Sequence, residues 1–318
     1  MTDSTKLIVS HAPFYRDACT ITSRSYQIMA AALLALIPGW LIYGAQALGV
    51  SALAVSTAIF WELLLNTLMK EKPTVGDGNA AMIGLIFSML LPATAPWWMV
   101  VTGTFVAVVM AKTVFGGIGG NPFSPPALSA AVMLVSWPHL MNFNAMLVNY
   151  ELPFVMAEPL TQVKFFGAEF ADQYPALELL MGHQAGGIGA VCGLGLIIGG
   201  IFLMIRGINR WEISLSFIAG VFVCALLFNL SDSDLYAGPI FHVLTGYTLV
   251  AAFFLATEDA SSPVLPIPML IYGFCGGLLT VLMRNIGSWV DGALFAVLLM
   301  NLATPIFDMI RPKALGKV

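Results

Sequence analysis

The sequence predicts an all-α polytopic membrane protein of about ten transmembrane helices, arranged as two inverted halves of five. Three observations lead there. Hydrophobic residues make up 59% of the 318 and charged residues 9%, whereas a soluble globular chain carries roughly 25% charged residues. Such a chain cannot build a water-facing surface, and its apolar content is too high for disorder. The apolar text falls into ten segments of near-spanning length, and the basic residues collect on alternate connections between them.

A hydrocarbon core of about 30 Å needs roughly 20 helical residues. The candidate spans are 26–44, 48–69, 78–92, 95–115, 125–142, 185–205, 211–230, 239–257, 267–285 and 290–309. The third is short and the fifth follows a proline-rich loop. Either reads as a broken or re-entrant helix, which is tolerated only where protein or a cavity lines it. The organisation that follows is a cytoplasmic N-terminal segment 1–25, a first half 26–142, an external loop 143–184, a second half 185–309 and a cytoplasmic tail 310–318. Residues 1–25 are polar and the first apolar segment is long enough to span, so no cleavable signal is expected.

Charge sets the orientation. With the N-terminus in the cytoplasm, the inside segments hold Lys6, Arg16, Arg24, Lys70, Lys72, Lys112, Arg206, Arg210, Arg311, Lys313 and Lys317. Only Lys164 and Arg284 fall outside, as the positive-inside rule requires. The longest connection, 143–184, carries Glu151, Glu158, Glu169, Asp172 and Glu178 against Lys164. With Pro153, Pro159 and Pro175 it reads as an ordered docking loop on the external face. Five spans on each side of it make the second half start from the opposite face, which is the arithmetic of an inverted repeat.

Net charge is −4, which argues against nucleic acid as a partner. Cys19, Cys192, Cys224 and Cys275 lie far apart with no CxxC, so no metal site is expected from this chain alone. No constellation for hydrolysis or group transfer appears, and turnover by this chain alone is not expected.

Three polar islands interrupt the apolar text. Gly76-Asp77-Gly78-Asn79-Ala80 opens the third span, and Asp77 suits either a helix cap or an ion or flavin contact. Lys112 through Pro126 reads KTVFGGIGGNPFSPP; its glycines and prolines cannot continue a helix. A glycine-rich backbone can cradle an anion or approach a flat ring. Tight packing of a broken helix explains Gly119, Gly120 and Asn121 equally well. Thr257-Glu258-Asp259 ends the eighth span with two acids and no basic neighbour in its loop; solvation and ion entry both account for them. Glu62 lies deep in the second span, where a carboxyl is expensive and faces a bundle interior, as a structural hydrogen-bonded group or as part of an ion relay. Arg284 and Asp291 are expected near the outer interface, pairing or snorkelling. His139, His183 and His242 are expected as hydrogen-bonded interfacial residues, and Trp97-Trp98 as part of an aromatic belt.

The islands, taken in order, resemble a known family. DGNAAMIGLIFSMLLPATAPWWMVV, AKTVFGGIGGNPFSPPAL, FFLATEDASSP and RNIGSWVDGALFAVLLMNLATPIFDMIRPKALG are similar to RnfD, the D component of Rnf-type electron-transport complexes. NqrB, a component of the sodium-pumping NADH:quinone reductase, is a more distant member. The N-terminal VSHAPFYRD adds to the likeness. The resemblance implies a ten-helix component of a prokaryotic inner-membrane complex that moves electrons between ferredoxin and NAD and couples them to sodium or proton transport. It implies RnfA, RnfB, RnfC, RnfE and RnfG as partners, above all RnfG, the external flavoprotein. It also implies FMN, joined in this family by a phosphoester to a threonine of an SGATPL-like sequence on the external loop.

Here the chain departs from the family. The counterpart reads Met156-Ala157-Glu158-Pro159-Leu160, with Glu158 at the threonine position. A carboxylate offers no hydroxyl acceptor and repels a phosphate. The expectation is therefore FMN without a covalent link, riboflavin, or no flavin, with Lys112, Gly119, Gly120 and Asn121 as further flavin contacts. Glu62, Asp77 and Asp259 are the candidates for an ion path. A secondary transporter or channel of inverted-repeat type, and a scaffold without flavin, remain as alternative readings.

Overall fold

The computed structural model describes residues 20–70, 74–147, 150, 154–155 and 157–310. Outside the described residues lie most of the expected N-terminal segment with its VSHAPFYRD motif, nearly all of the tail, Lys72, Glu151, Pro153 and Met156.

Helix α1 (Ile21–Tyr43) starts where the Thr20 hydroxyl accepts the Ser23 N–H, satisfying one of the orphan donors of a helix N-terminus. Its length corresponds to about 34 Å. Gly44, at φ +71°, turns the chain directly into α2 (Ala45–Met69). With α10 (Trp211–Ser231) and α13 (Pro266–Asn285), these are, among the described residues, four helices long and apolar enough to cross a membrane. Their faces are inverted relative to a soluble bundle. Ala31, Ala35, Ala47, Ala54 and Ala58 are fully buried, while Leu41 and Leu230 are more than 70% exposed. Large side chains face the surroundings and small ones the interior, as expected where the solvent is hydrocarbon and close packing drives association.

Helices α10 and α13 pack along each other. A Cβ on Gly220 would collide with the Phe274 carbonyl, and one on Gly277 with the Phe217 carbonyl. This is the small-residue contact that lets membrane helices approach backbone to backbone.

The remaining apolar segments are shorter than the sequence suggests. The third span is α3 (Asn79–Met89), which stops before Pro92. The fourth runs as α4 (Trp97–Phe105) into a π-helical stretch, Val106–Thr113. The fifth is α5 (Pro125–Ser136), and residues 137–142 are not its continuation. Among the described residues of the expected external loop stand three short α-helices, α6 (Phe143–Met146), α7 (Pro159–Phe166) and α8 (Ala176–Met181). The sixth span is corrected most: α9 (Gly193–Ile205) begins eight residues later than expected. Instead, Ile188 N–H donates to the Leu91 carbonyl and Gly189 N–H to that of Met89, so this loop completes the end of α3. The eighth span is broken too, into α11 (Pro239–Leu244) and α12 (Thr248–Val250), the latter continuing as a second π-helical stretch, Ala251–Leu255. The Tyr247 hydroxyl donates to Leu90 O, so the two breaks meet and satisfy one another. Non-helical backbone survives at this depth because protein surrounds it. Helix α14 (Ala293–Phe307) closes the fold against α13 and α5.

Two ends result. Arg24, at the start of α1, meets Asp259 and the Ile208 carbonyl. Tyr43, at its finish, bonds Gln184 O and Gly186 O and stacks edge-on with Tyr150. The first is the glycine end, the second the loop end.

Candidate functional site

At the glycine end the two π-helical stretches converge. In the first, the Thr113 hydroxyl donates to Val108 O and Val114 N–H to Val109 O, a five-residue spacing. Such a widened turn re-aims one side chain, and π-bulges are frequent at functional sites. Here it is followed by the glycine island, with Lys112 buried. Lys112 Nζ lies 2.6 Å from Glu62 Oε1, and the Thr74 hydroxyl also donates to that oxygen at 3.2 Å. The two ion-pair side chains are each only 6% exposed. Glu62 Oε2 has no hydrogen-bond partner among the described residues.

Lys112 also lines a cavity of about 220 Å³. Its other polar walls include Arg24, Asn79, Gly119, Asn121, Asn209, Glu258 and Asp259. Its apolar walls include Ile28, Met82, Phe253 and Phe254. Asn121 Nδ2 donates to Glu258 Oε1 at 2.8 Å and Ser261 Oγ to Glu258 Oε2 at 2.6 Å. Burial pushes the Glu258 carboxyl above its ordinary value, against the pull of these two hydrogen bonds. Ser124, fully buried on the same wall, has a hydroxyl with no partner among the described residues.

The loop end holds a second, separate cluster. Glu158 precedes α7, and its N–H donates to Asn144 Oδ1 at 2.6 Å. The Thr161 hydroxyl donates to Glu158 Oε2 at 2.6 Å. Burial raises the Glu158 carboxyl to about 7, the neighbouring Asp291 adding to the rise while Thr161 and Arg284 oppose it. Arg284 Nη2 lies 3.0 Å from Asp291 Oδ1, with Nη1 donating to His242 O and Nη2 to the Thr248 hydroxyl. Asp291 Oδ2 accepts Tyr247 N–H at 2.7 Å. This pair fastens the break between α11 and α12. Gly246 sits in the break at φ +63°, where a Cβ would strike Asp291 Oδ2.

Over residues 8–316 the chain matches the model that describes the NQR2, RnfD, RnfE family. The chain belongs to this family. It is 33% identical to the D component of the ion-translocating oxidoreductase complex of Cronobacter sakazakii, covering 91% of this chain and 94% of that one. It is also 33% identical to the D component of the Na(+)-translocating ferredoxin:NAD(+) oxidoreductase complex of Acetobacterium woodii, covering 95% and 92%. The corresponding D component of the ion-translocating oxidoreductase complex of Pseudomonas paraeruginosa is 35% identical over 92% of each chain.

For this family member the expected flavin contacts divide. Lys112, Gly119 and Asn121 share one cavity at the glycine end. Gly120 stands beside it, closed against the Phe115 carbonyl. Glu158 belongs to the opposite end, in a space of about 10 Å³ that holds one water at most and no ring. The ion-path candidates divide as well. Glu62 is paired with Lys112, and Asp259 with Arg24 at 2.6 Å, a cation supplied by α1 rather than by its own loop. Asp77 lies outside the cavity lining and accepts Asn79 N–H at 2.8 Å; Gly78, not Asp77, caps α3.

Other expectations are corrected. Of the two readings for Arg284 and Asp291, pairing holds and snorkelling does not: Arg284 is 2% exposed, with its guanidinium on Asp291 and on the carbonyls of His242 and Thr245. His242 is buried, and neither ring nitrogen has a partner among the described residues. The sequence reading did not single out Arg24, Ser124 or Asn209. Asn209 had a usable signal, a lone amide between two arginines at a helix junction; its Nδ2 donates to Phe253 O, inside the second π stretch.

Proposed function

We propose that this chain is the membrane-embedded electron-transfer component, of the RnfD type, of an ion-translocating ferredoxin:NAD oxidoreductase complex, carrying a flavin without a covalent link. It crosses the inner membrane ten times as two inverted halves, with its termini and the glycine end in the cytoplasm and the loop end outside. The alternating directions of the apolar segments support this, as does the antiparallel packing of α1 and α9, the first segment of each half.

One observation carries the flavin reading: the glycine-end cavity combines a buried cation, an unpartnered buried hydroxyl and aromatic walls. FMN or riboflavin fits that set of groups. Lys112, Gly119, Asn121 and Ser124 would hold it. A flavin supplies one- and two-electron transfer. Phe253 and Phe254 exclude water, which strengthens every charge interaction inside. Lys112, held by Glu62 at 2.6 Å, would place positive charge beside a reduced flavin. The same ion pair makes Glu62 the candidate group for coupling ion movement to redox state. Asp259 and Asp77 stand at or near the mouth as candidate entry groups. Glu158 cannot form the family's phosphoester, since it lacks the hydroxyl.

The test is flavin analysis of the purified complex. Flavin should leave this chain on denaturation, and Asn121→Ala with Lys112→Met should lower its content at least several-fold. Flavin fluorescence that stays with the denatured chain would reject non-covalent binding. Absence of flavin from the chain in the intact complex would leave the scaffold reading in its place.

A further inference from the structure

A third cavity, at the loop end, adjoins the Arg284–Asp291 pair and shares Arg284 and His242 with that cluster, but opens on its other side toward α7. It measures about 120 Å³ and is bounded by α7, α11 and the end of α13. Its polar walls are Lys164, Tyr236, His242, Arg284 and Asn285. Nitrogen donors dominate these walls, and among the described residues no carboxylate lines the cavity.

Several of those donors have capacity to spare. Lys164 Nζ donates to the carbonyls of Gly287 and Trp289, which leaves its third N–H uncommitted. Arg284 uses Nε, both N–H groups of Nη2 and one of Nη1 on protein oxygens, which leaves one Nη1 N–H. Asn285 Nδ2 is buried without a partner among the described residues, and so are both ring nitrogens of His242, of which a neutral ring offers one as a donor. A buried donor left unsatisfied costs about 1–3 kcal/mol; Asn285 and His242 each carry one such donor, and with Lys164 and Arg284 in the same wall the lining suits a ligand rich in acceptors. The nearest acid, Asp291, is already saturated: Oδ1 accepts from Arg284 and Ala293 N–H, and Oδ2 from Tyr247 N–H.

We propose that this cavity binds a phosphate oxyanion, and that its occupant is the phosphodiester headgroup of a membrane lipid. A phosphate group presents several acceptor oxygens and no obligatory donor, which matches the wall. The lipid source follows from the rim. Leu235, which lines the cavity, and Ile286, next to the lining Asn285, are 54% and 71% exposed and present apolar surface to acyl chains. Lys164 sits at the mouth, half-buried, and supplies the charge. A lipid seated here would brace α7 against the end of α13, next to the Arg284–Asp291 pair.

The experiment uses the full-length chain, purified in detergent, stripped of lipid and examined by native mass spectrometry. Phosphatidylglycerol, diacylglycerol and inorganic phosphate are added separately. One phosphatidylglycerol should be retained per chain, diacylglycerol should not, and Lys164→Gln should weaken retention about tenfold through loss of one charge-assisted hydrogen bond. Asn285→Leu, which keeps the side-chain volume, should weaken it in the same direction. Equal retention by the wild type and both variants, each still helical and monodisperse, would overturn the proposal, as would equal retention of diacylglycerol. Binding of inorganic phosphate as tight as that of the lipid would reject the lipid as occupant and assign the site to a soluble phosphate.

Discussion

Removing the charge of Lys112 strands the Glu62 carboxylate inside the protein. The ion pair spans 2.6 Å and each side chain is 6% exposed. At an effective dielectric constant near 20, a pair at that separation attracts by about 6 kcal/mol. Desolvation of both ions offsets most of this, so the pair adds little net stability. Losing one partner is different, because the survivor keeps its desolvation cost without the attraction. Lys112→Met should therefore destabilise the chain by about 3–5 kcal/mol. Glu62→Gln should cost a similar amount, since the ammonium is then left beside an amide. The double variant should recover most of the loss and lie within about 2 kcal/mol of wild type. The assay is equilibrium unfolding of the purified chain in mixed micelles, followed by far-ultraviolet circular dichroism, as a double-mutant cycle. A coupling energy above about 2 kcal/mol is expected. Additive losses in the double variant would refute the claim that Lys112 and Glu62 neutralise each other.

Two further predictions concern the loop end. The folded protein holds Glu158 at about 7, above the ordinary carboxyl value of 4.5, so it favours the protonated form. Its contribution to stability is then complete below about pH 4.5 and is lost as pH rises through 7; the full span corresponds to about 3 kcal/mol. Thermal melting of the wild type should fall over that range, Glu158→Gln should flatten this part of the profile, and an identical slope in the variant would remove Glu158 as its source. Gly246→Ala places a methyl group at φ +63° against Asp291 Oδ2, whereas Gly207, at φ +68°, has open space around it. Both alanine variants should lose about 1–2 kcal/mol to the left-handed backbone, and Gly246→Ala should lose at least about 2 kcal/mol more through the displaced Arg284–Asp291 pair. Equal melting temperatures for the two alanine variants would show that the break tolerates the extra group.

Hydrocarbon-facing helices were legible because their signal is local. A run of apolar residues near Ala31 or Val221 has no other stable environment, so the four long helices stand close to where hydropathy puts them. The polar islands were equally plain, since glycine and proline forbid continued helix around residues 116–126. The short segments were legible only in part: the third and fifth read as short or broken, while the breaks of the sixth and eighth did not show. Hydropathy reads residues 185–192 as the start of a span, but their backbone is spent on Met89 and Leu91, on a different segment. No local pattern announces that exchange.

Side-chain partnership is the matter on which one-dimensional information is silent. Glu62 and Lys112 stand fifty residues apart, and Arg24 and Asp259 stand 235 apart. A buried ionisable group must find an opposite charge, as Lys112 does, or hydrogen bonds and a neutral form, as Glu158 and Glu258 do, because the low dielectric penalises any that does not. Which charge answers which depends on how the helices cross. Packing sent Lys112 inward to Glu62, separated Glu158 from the glycine island by the length of α1, and buried Arg284 against the carbonyls of a broken helix. Apolar burial is a property of each segment alone, whereas electrostatic neutralisation is a property of pairs, and pairs exist only once the chain has folded.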